Sequence, residues 1–269
     1  MTGGRRMELI DRAGEVTAPR SREAIRRKLG SYHAVLTETQ QIVGGVLSDR
    51  LHPRVLEAGC GSLAYIHFDS NSHVVGIDID PLALERNACV TERVIGDIET
   101  YDLPADSFDA IVCWYVFEHL RNPLAALVRF ANATRPGGCV VLALPNVLTP
   151  KGLVTKFTPF AFHVWWKRYV HGRKHAGTPG HGPYPTTIPF SIAPRSLLSV
   201  AEAAGLEVTY EAYFEDEKQL EARRKFGLDG AAWRLFRWAT RVFSGGSLDA
   251  EKTEYVLVLT KRRPTASPR

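Results

Sequence analysis

Acidic residues are missing from the middle of this chain. From His119 to Val200 there is no aspartate or glutamate, while the same span holds ten lysines or arginines and five histidines. A segment so one-sided should carry a positive potential. It favours an anionic acceptor, a phosphorylated group or an anionic membrane surface, except where it forms buried strand and helix, in which acids are scarce anyway. Cysteine is scarce as well. Cys60, Cys89, Cys113 and Cys139 form no Cys-x-x-Cys pair and read as reduced, small core residues of a cytoplasmic protein. No apolar run approaches the roughly 20 residues needed to span a bilayer. The N-terminus has arginines but lacks the apolar stretch of a secretory signal. There is no internal repeat and no long low-complexity tract.

What is there is an alternation of strands and helices over much of a 269-residue chain, long enough to bury a large core. Ser21 can cap a helix running through Ile25 and Leu29, and a second helix covers about Tyr32 to Leu47. Pro53 precedes a first strand, 54–58. Further strands are read at 73–78, 93–95, 108–114, 139–144, 206–213 and 254–260, with helices at 81–87, 123–134, 194–204 and about 215–243. The strands 108–114 and 139–144 are almost wholly apolar, as strands covered on both faces are. The pattern predicts a doubly wound α/β sheet. The stretch 145–189 reads as irregular and is too long for a simple connection.

One loop carries the first chemical signal. Val55-Leu56-Glu57-Ala58-Gly59-Cys60-Gly61-Ser62-Leu63-Ala64 runs a strand into a glycine turn, and Asp78 ends the next strand 19 residues after Gly59. This satisfies the loose dinucleotide fingerprint, the acid being placed for ribose hydroxyls. NAD and S-adenosylmethionine both remain open on that evidence. Glu57 tips the balance, because a carboxylate there opposes a diphosphate but suits the cationic methionyl end of S-adenosylmethionine.

Four blocks then resemble the class I S-adenosylmethionine-dependent methyltransferases of the small-molecule, type-11-like branch. They are VLEAGCG (55–61), VVGIDID (74–80), VIGDIETYDLPADSFDAIVCWYVFEHL (94–120) and RPGGCVVLALPN (135–146), in the family's order and spacing. The resemblance implies a Rossmann-like seven-stranded sheet with its last strand antiparallel, N-terminal helices and a lid inserted after strand five. It implies that Glu57, Gly59, Cys60 and Gly61 line the methionine and ribose. Asp78 takes the ribose hydroxyls and Ile79 packs on adenine. Asp97 reaches the adenine amino group and Ile98 closes over the ring, while Trp114 and Tyr115 border the cofactor and the acceptor cavity, Trp114 as a cofactor contact and Tyr115 as a catalytic candidate. Two departures stand out. Leu63 replaces the family's usual third glycine, and 62–72 is short for the first helix. The division expected is an N-terminal helical extension, 1–50, and a methyltransferase domain, 51–269, with a lid insertion at 147–189 and a helical insertion at 215–245.

His119 is the candidate general base, the competing role being a capping or packing histidine. Some relatives hold a divalent metal with Glu-x-x-Glu-His; this chain has Tyr115-x-x-Glu118-His119, and no metal is expected. The insertion offers His163, Trp166, Arg168, His171, His181 and Tyr184 as a substrate lid, its histidines lacking the partners of a zinc cluster. The Trp/Lys/Arg turn at 165–169 and the stretch 233–241 read first as packed helices, and also suit peripheral contact with a membrane. Nucleic acid is not expected, since Cys113-Trp114-Tyr115-Val116 is not the Asn/Asp-Pro-Pro-aromatic signature that holds flipped bases. The expected activity is methyl transfer from S-adenosylmethionine to a small molecule or glycan, anionic or lipid-linked acceptors included, with a hydroxyl on a sugar or secondary metabolite preferred. C-methylation of a quinone-like ring, N-methylation of an amino sugar and a non-catalytic cofactor-binding regulator are the alternatives.

Overall fold

The structure is a computed structural model that describes residues 25–169, 172, 174–178 and 188–263. Eight strands form one sheet: β1 (Ile25–Gly30), β2 (Arg54–Ala58), β3 (His73–Asp78), β4 (Glu92–Ile95), β5 (Phe108–Trp114), β6 (Thr134–Pro145), β7 (Leu206–Phe214) and β8 (Glu254–Lys261). Their order is β1-β7-β8-β6-β5-β2-β3-β4. All neighbours are parallel except β8, which runs antiparallel to both β6 and β7. The chain winds outward from β2 to β4, then returns to β5 on the other side of β2. The carboxyl ends of β2 and β5 therefore flank the point where the winding reverses, where open α/β sheets place their ligand crevice.

The sheet has eight strands, where seven were expected, and the helix expected from Ser21 does not extend through Leu29. Residues 25–30 pair in parallel with β7 instead, Ile25 with Tyr210 and Arg27 with Ala212. Six residues ending in glycine make a poor isolated helix, whereas β7 would otherwise leave its backbone edge open. Ser31 then caps α1 (Tyr32–Leu47), its hydroxyl accepting from Ala34 N–H at 3.2 Å.

Strand side chains alternate between two apolar layers. Leu56, Ile111, Val140, Leu142 and Leu257 face one side, with residues of α3 (Pro123–Ala133) and α6 (Pro194–Ala203). Val55, Ala110, Val112, Val141 and Val256 face the other, where α1 contributes Val35, Val43, Val46 and Leu47. Helices α2 (Pro81–Arg86), α3, α4 (Pro150–Phe157) and α6 all start on proline, whose fixed φ suits the first turn. Helices α4 and α5 (Phe160–Tyr169) occupy ground read as irregular from the sequence, and the charged stretch after β7 splits into α7 (Glu217–Lys225) and α8 (Ala231–Phe243).

Two connections are built without a regular turn or helix. The turn Arg135–Gly138 is absorbed into the start of β6 as a bulge, with Phe108 opposite Thr134 and Ala110 opposite Cys139. No helix links β2 to β3; that connection is irregular, and the turn at 69–72 closes with Ser72 N–H on Asp69 O at 2.9 Å. Three cysteines are buried as expected, but Cys89 is exposed. Among the described residues no helix is long and apolar enough to cross a membrane.

Candidate active site

The glycine loop leaves β2 through two residues in the left-handed region, Gly59 at φ +72° and Gly61 at φ +50°. A Cβ on Gly59 would lie 2.5 Å from Val116 Cγ2, so that position excludes a side chain twice over. At Gly61 a Cβ would meet open space. Gly59 N–H and Cys60 N–H both donate to Ile77 O, at 2.8 and 3.2 Å, which fastens the loop over β3. Asp78 takes the next amide: its Oδ2 accepts from Gly61 N–H at 2.7 Å and its Oδ1 from Asp80 N–H at 2.8 Å. Buried Asn87 holds the far side, donating to Cys60 O at 3.1 Å and Gly61 O at 3.3 Å. The Cys60 thiol is pushed up to about 12 by burial first and by the charges of Asp78 and Glu57 next. It is a packing residue, not a nucleophile.

Glu57 closes off the end of β2. Burial alone raises its carboxyl to about 7. Ile79 sits on the lip of β3 with 73% of its surface exposed. Gly96 N–H donates to Asp78 O at 3.0 Å, which sets Asp97 and Ile98 beside that strand end. Asp97 is exposed and its Oδ1 accepts from Glu99 N–H at 2.8 Å, while Ile98 turns into the core. Glu57, Gly59, Cys60, Gly61, Asp78, Ile79, Asp97 and Ile98 thus gather at the carboxyl ends of β2, β3 and β4.

The end of β5 supplies the facing wall. Tyr115 adopts φ +57°, an uncommon conformation for a bulky side chain and one that clusters at functional sites. Tyr65, from the irregular β2–β3 connection, stacks on Trp114 at 5.2 Å between centroids and meets Tyr115 edge-on at 6.1 Å. The Trp114 indole N–H is buried with no hydrogen-bond partner among the described residues. Behind this wall stand acids. Burial raises Glu118 to about 8, and His119, at the rim, lies 4.0 Å from it through Nε2. Glu254 opens β8 opposite Phe214 and Pro145. Burial lifts it to about 7 against the pull of Lys151. Lys151 Nζ donates to Asp216 Oδ2 at 2.9 Å and to Glu254 Oε1 at 3.3 Å. Burial works against the ammonium, yet Glu254 and Asp216 outweigh it and its pKa lies above the usual range. The Tyr115 phenol is held well above its ordinary value by burial, then by Glu254 and its neighbours.

Sequence reasoning did not find Tyr65, Asn87, Lys151, Asp216 or Glu254. Only Glu254 left a trace, as an acid opening the otherwise apolar EYVLVLT. The two lid residues with described side chains bond within the insertion. His163 Nε2 bonds Thr158 Oγ1 at 2.9 Å and Thr155 O at 3.2 Å, joining α4 to α5. Arg168 Nε donates to Ala176 O at 2.9 Å. The Trp166 side chain, His171, His181 and Tyr184 lie outside the described residues. The cations of the acid-free stretch are largely engaged: Arg135 with Asp109, Lys151 as above, Lys156 with Ile188 O, and Arg129 with Glu99 O.

A family model of the methyltransferase domain matches residues 20–211. The chain belongs to that family, the class I S-adenosylmethionine-dependent methyltransferases, and its cofactor is S-adenosylmethionine. It is 28% identical over 165 residues to the ubiquinone biosynthesis O-methyltransferase of Aeromonas salmonicida, covering 58% of this chain and 63% of that one. The enzyme of the same name from Hahella chejuensis is 30% identical over 133 residues, 42% of this chain and 56% of that one. The chain therefore spans less than two thirds of the length of these relatives. In fold it is similar to an S-adenosylmethionine dependent methyltransferase structure from Listeria monocytogenes, at TM-score 0.52 and 11% identity, covering 86% of this chain and 100% of that one. A structure from Galdieria sulphuraria described as a sarcosine dimethylglycine methyltransferase also scores 0.52, at 13% identity over 84% of this chain and 86% of that one.

Proposed function

We propose that this methyltransferase acts on a hydroxyl of a small ring-bearing acceptor, a secondary metabolite or sugar, that lies against Tyr65, Trp114 and Tyr115. The observation that carries this reading is the linked group Glu254–Lys151–Asp216, with Glu254 buried and acting on Tyr115. A hydroxyl acceptor needs a base near neutral pKa, and Glu254 at about 7 meets that need. The relatives from Aeromonas salmonicida and Hahella chejuensis, both named ubiquinone biosynthesis O-methyltransferase, support transfer to oxygen.

The cofactor supplies an activated methyl group on a sulfonium, so the protein's task is alignment and proton handling. The residues at the loop fit such a group. Glu57 is a buried carboxylate to which no described residue donates, and Gly61 leaves its space open. Glu57 faces the cationic methionyl end. Asp78, with lone pairs left after its two loop bonds, accepts from the ribose hydroxyls. Ile79 would pack against the adenine, Asp97 would accept from its amino group and Ile98 would close over the ring. Glu254 takes the acceptor's hydroxyl proton at its carboxylate, with Lys151 setting the charge there. His119, exposed at the rim, is the alternative base.

A second reading rests on the same acids. Glu57, Glu118 and Glu254 ionise on rising pH, Glu254 beside Lys151 and Lys218, and such acids accept protons from a cationic amine as readily as from a hydroxyl, which keeps an amine in view. The test is labelled methyl transfer to a catechol, a sugar and an amine, each with wild type, Glu254→Gln and His119→Ala. Transfer to a hydroxyl that fails in Glu254→Gln supports the first reading; transfer to the amine alone supports the second.

A further inference from the structure

Helix α8 is docked inside out. Its thirteen residues include no buried residue. The side that touches the protein is its polar one. Trp233 Nε1 donates to Glu251 Oε1 at 3.0 Å, Arg237 Nη2 pairs with Glu251 Oε2 at 2.9 Å, and the Arg223 guanidinium lies 4.2 Å over the Trp233 ring. The helical period of 3.6 residues puts Ala231, Leu235, Trp238 and Val242 on the opposite face. That face is bare: Leu235 is 63% exposed, Trp238 61% and Val242 53%, and Phe243 at the helix end is bare beside it at 89%. Surface helices of globular proteins are oriented the other way round, so this stripe has an occupant elsewhere.

The charges beside the stripe identify it. No acid occurs from Gly230 to Leu248, and exposed Arg234 and Arg241 line one flank. The turn leading into the helix adds exposed Arg224 and Lys225 with bare Phe226 and Leu228. A helix with a strong apolar face, little net hydrophobicity, flanking arginines and exposed Trp and Phe is built to lie in a lipid headgroup layer. A second copy of this chain fits less well, because antiparallel pairing across a two-fold axis brings like flanks together, arginine against arginine.

We propose that α8 seats this methyltransferase on an anionic lipid surface, with Leu235, Trp238, Val242 and Phe243 entering the interface and Arg234 and Arg241 meeting the headgroups. The inference is independent of which acceptor is methylated. Its anchor Glu251 lies on the segment that enters β8 at Glu254, so the surface-bound helix is fastened next to the start of the strand that carries Glu254.

The test is co-sedimentation of the full chain with phosphatidylcholine vesicles, with and without phosphatidylglycerol. Wild type should bind the anionic vesicles, and Trp238→Ser should weaken that binding about tenfold or more, as expected for one large apolar side chain kept out of the interface. Arg234→Gln with Arg241→Gln should erase the preference for anionic over neutral vesicles. Calorimetric cofactor binding should be unchanged in every variant, showing that each is folded. Equal sedimentation of wild type and Trp238→Ser overturns the proposal. So does a wild-type dimer in sedimentation velocity that Trp238→Ser dissolves, since the stripe would then be covered by a second copy.

Discussion

Asp78 holds Gly61. The carboxylate that would receive the ribose hydroxyls already accepts the Gly61 amide at 2.7 Å, so it shapes the loop before any ligand arrives. Asp78→Ala should therefore lose on both counts: about 1.5–3 kcal/mol of cofactor affinity and about 1 kcal/mol of folding stability, with the part-buried Gly61 amide left without its acceptor. Asp78→Asn keeps one acceptor oxygen and should lose less of each. Calorimetry with S-adenosylhomocysteine and thermal unfolding measure the two; full affinity in Asp78→Ala would remove Asp78 from the cofactor site.

Gly59→Ala should destabilise the fold by about 2 kcal/mol or more, combining left-handed strain with a contact against Val116. Adding Val116→Ala should recover the steric part and leave the strain. Urea unfolding of the single and double variants gives the answer. No recovery would mean that backbone conformation accounts for the whole effect.

Glu57 should make stability fall as pH rises. The unfolded side chain loses its proton near 4.5, while the folded one keeps it to about 7. Between those values the native state binds more protons, so stability declines with pH. Glu57→Gln should gain about 2–3 kcal/mol on wild type between about pH 5 and about pH 8. Cofactor binding should show the opposite trend in wild type, strengthening as Glu57 ionises through about 7, and this slope should vanish in Glu57→Gln. A parallel slope in both proteins would assign the proton elsewhere.

Lys151→Met should move the acid limb of the methyl-transfer rate to higher pH, because the ammonium draws the Glu254 carboxyl downward. Glu254→Gln should abolish that limb and lower the single-turnover rate about 10²–10⁴-fold, with cofactor affinity unchanged. Loss of the limb in His119→Ala would transfer the role to the histidine.

The elements nearest the cofactor were legible because their signals are local. Strands β2, β3 and β5 are apolar runs bounded by Pro53, Asp78 and Trp114, and the glycine loop and Asp78 announce themselves by spacing. Strand β1 was not, since Ile25–Gly30 is extended only because β7 offers it an edge. Nor was the facing wall. Lys151 and Glu254 stand 103 residues apart and Tyr65 reaches Trp114 only because no helix follows the loop, so their meeting is a property of the folded chain alone. Within the acid-free span, Arg135 and Lys151 pair with acids from other segments, while Lys156 donates to Ile188 O inside the span itself, and none of these pairings could be read from the sequence.

The reversal between β2 and β5 has a consequence for how such a protein can change. Residues gathered at β2, β3 and β4 stand on one side of that seam; Trp114, Tyr115, Glu118, Lys151, Asp216 and Glu254 stand on the other, with Tyr65 reaching across. A lineage can therefore rewrite the later half of the chain, taking up a new acceptor, while inheriting the earlier half intact.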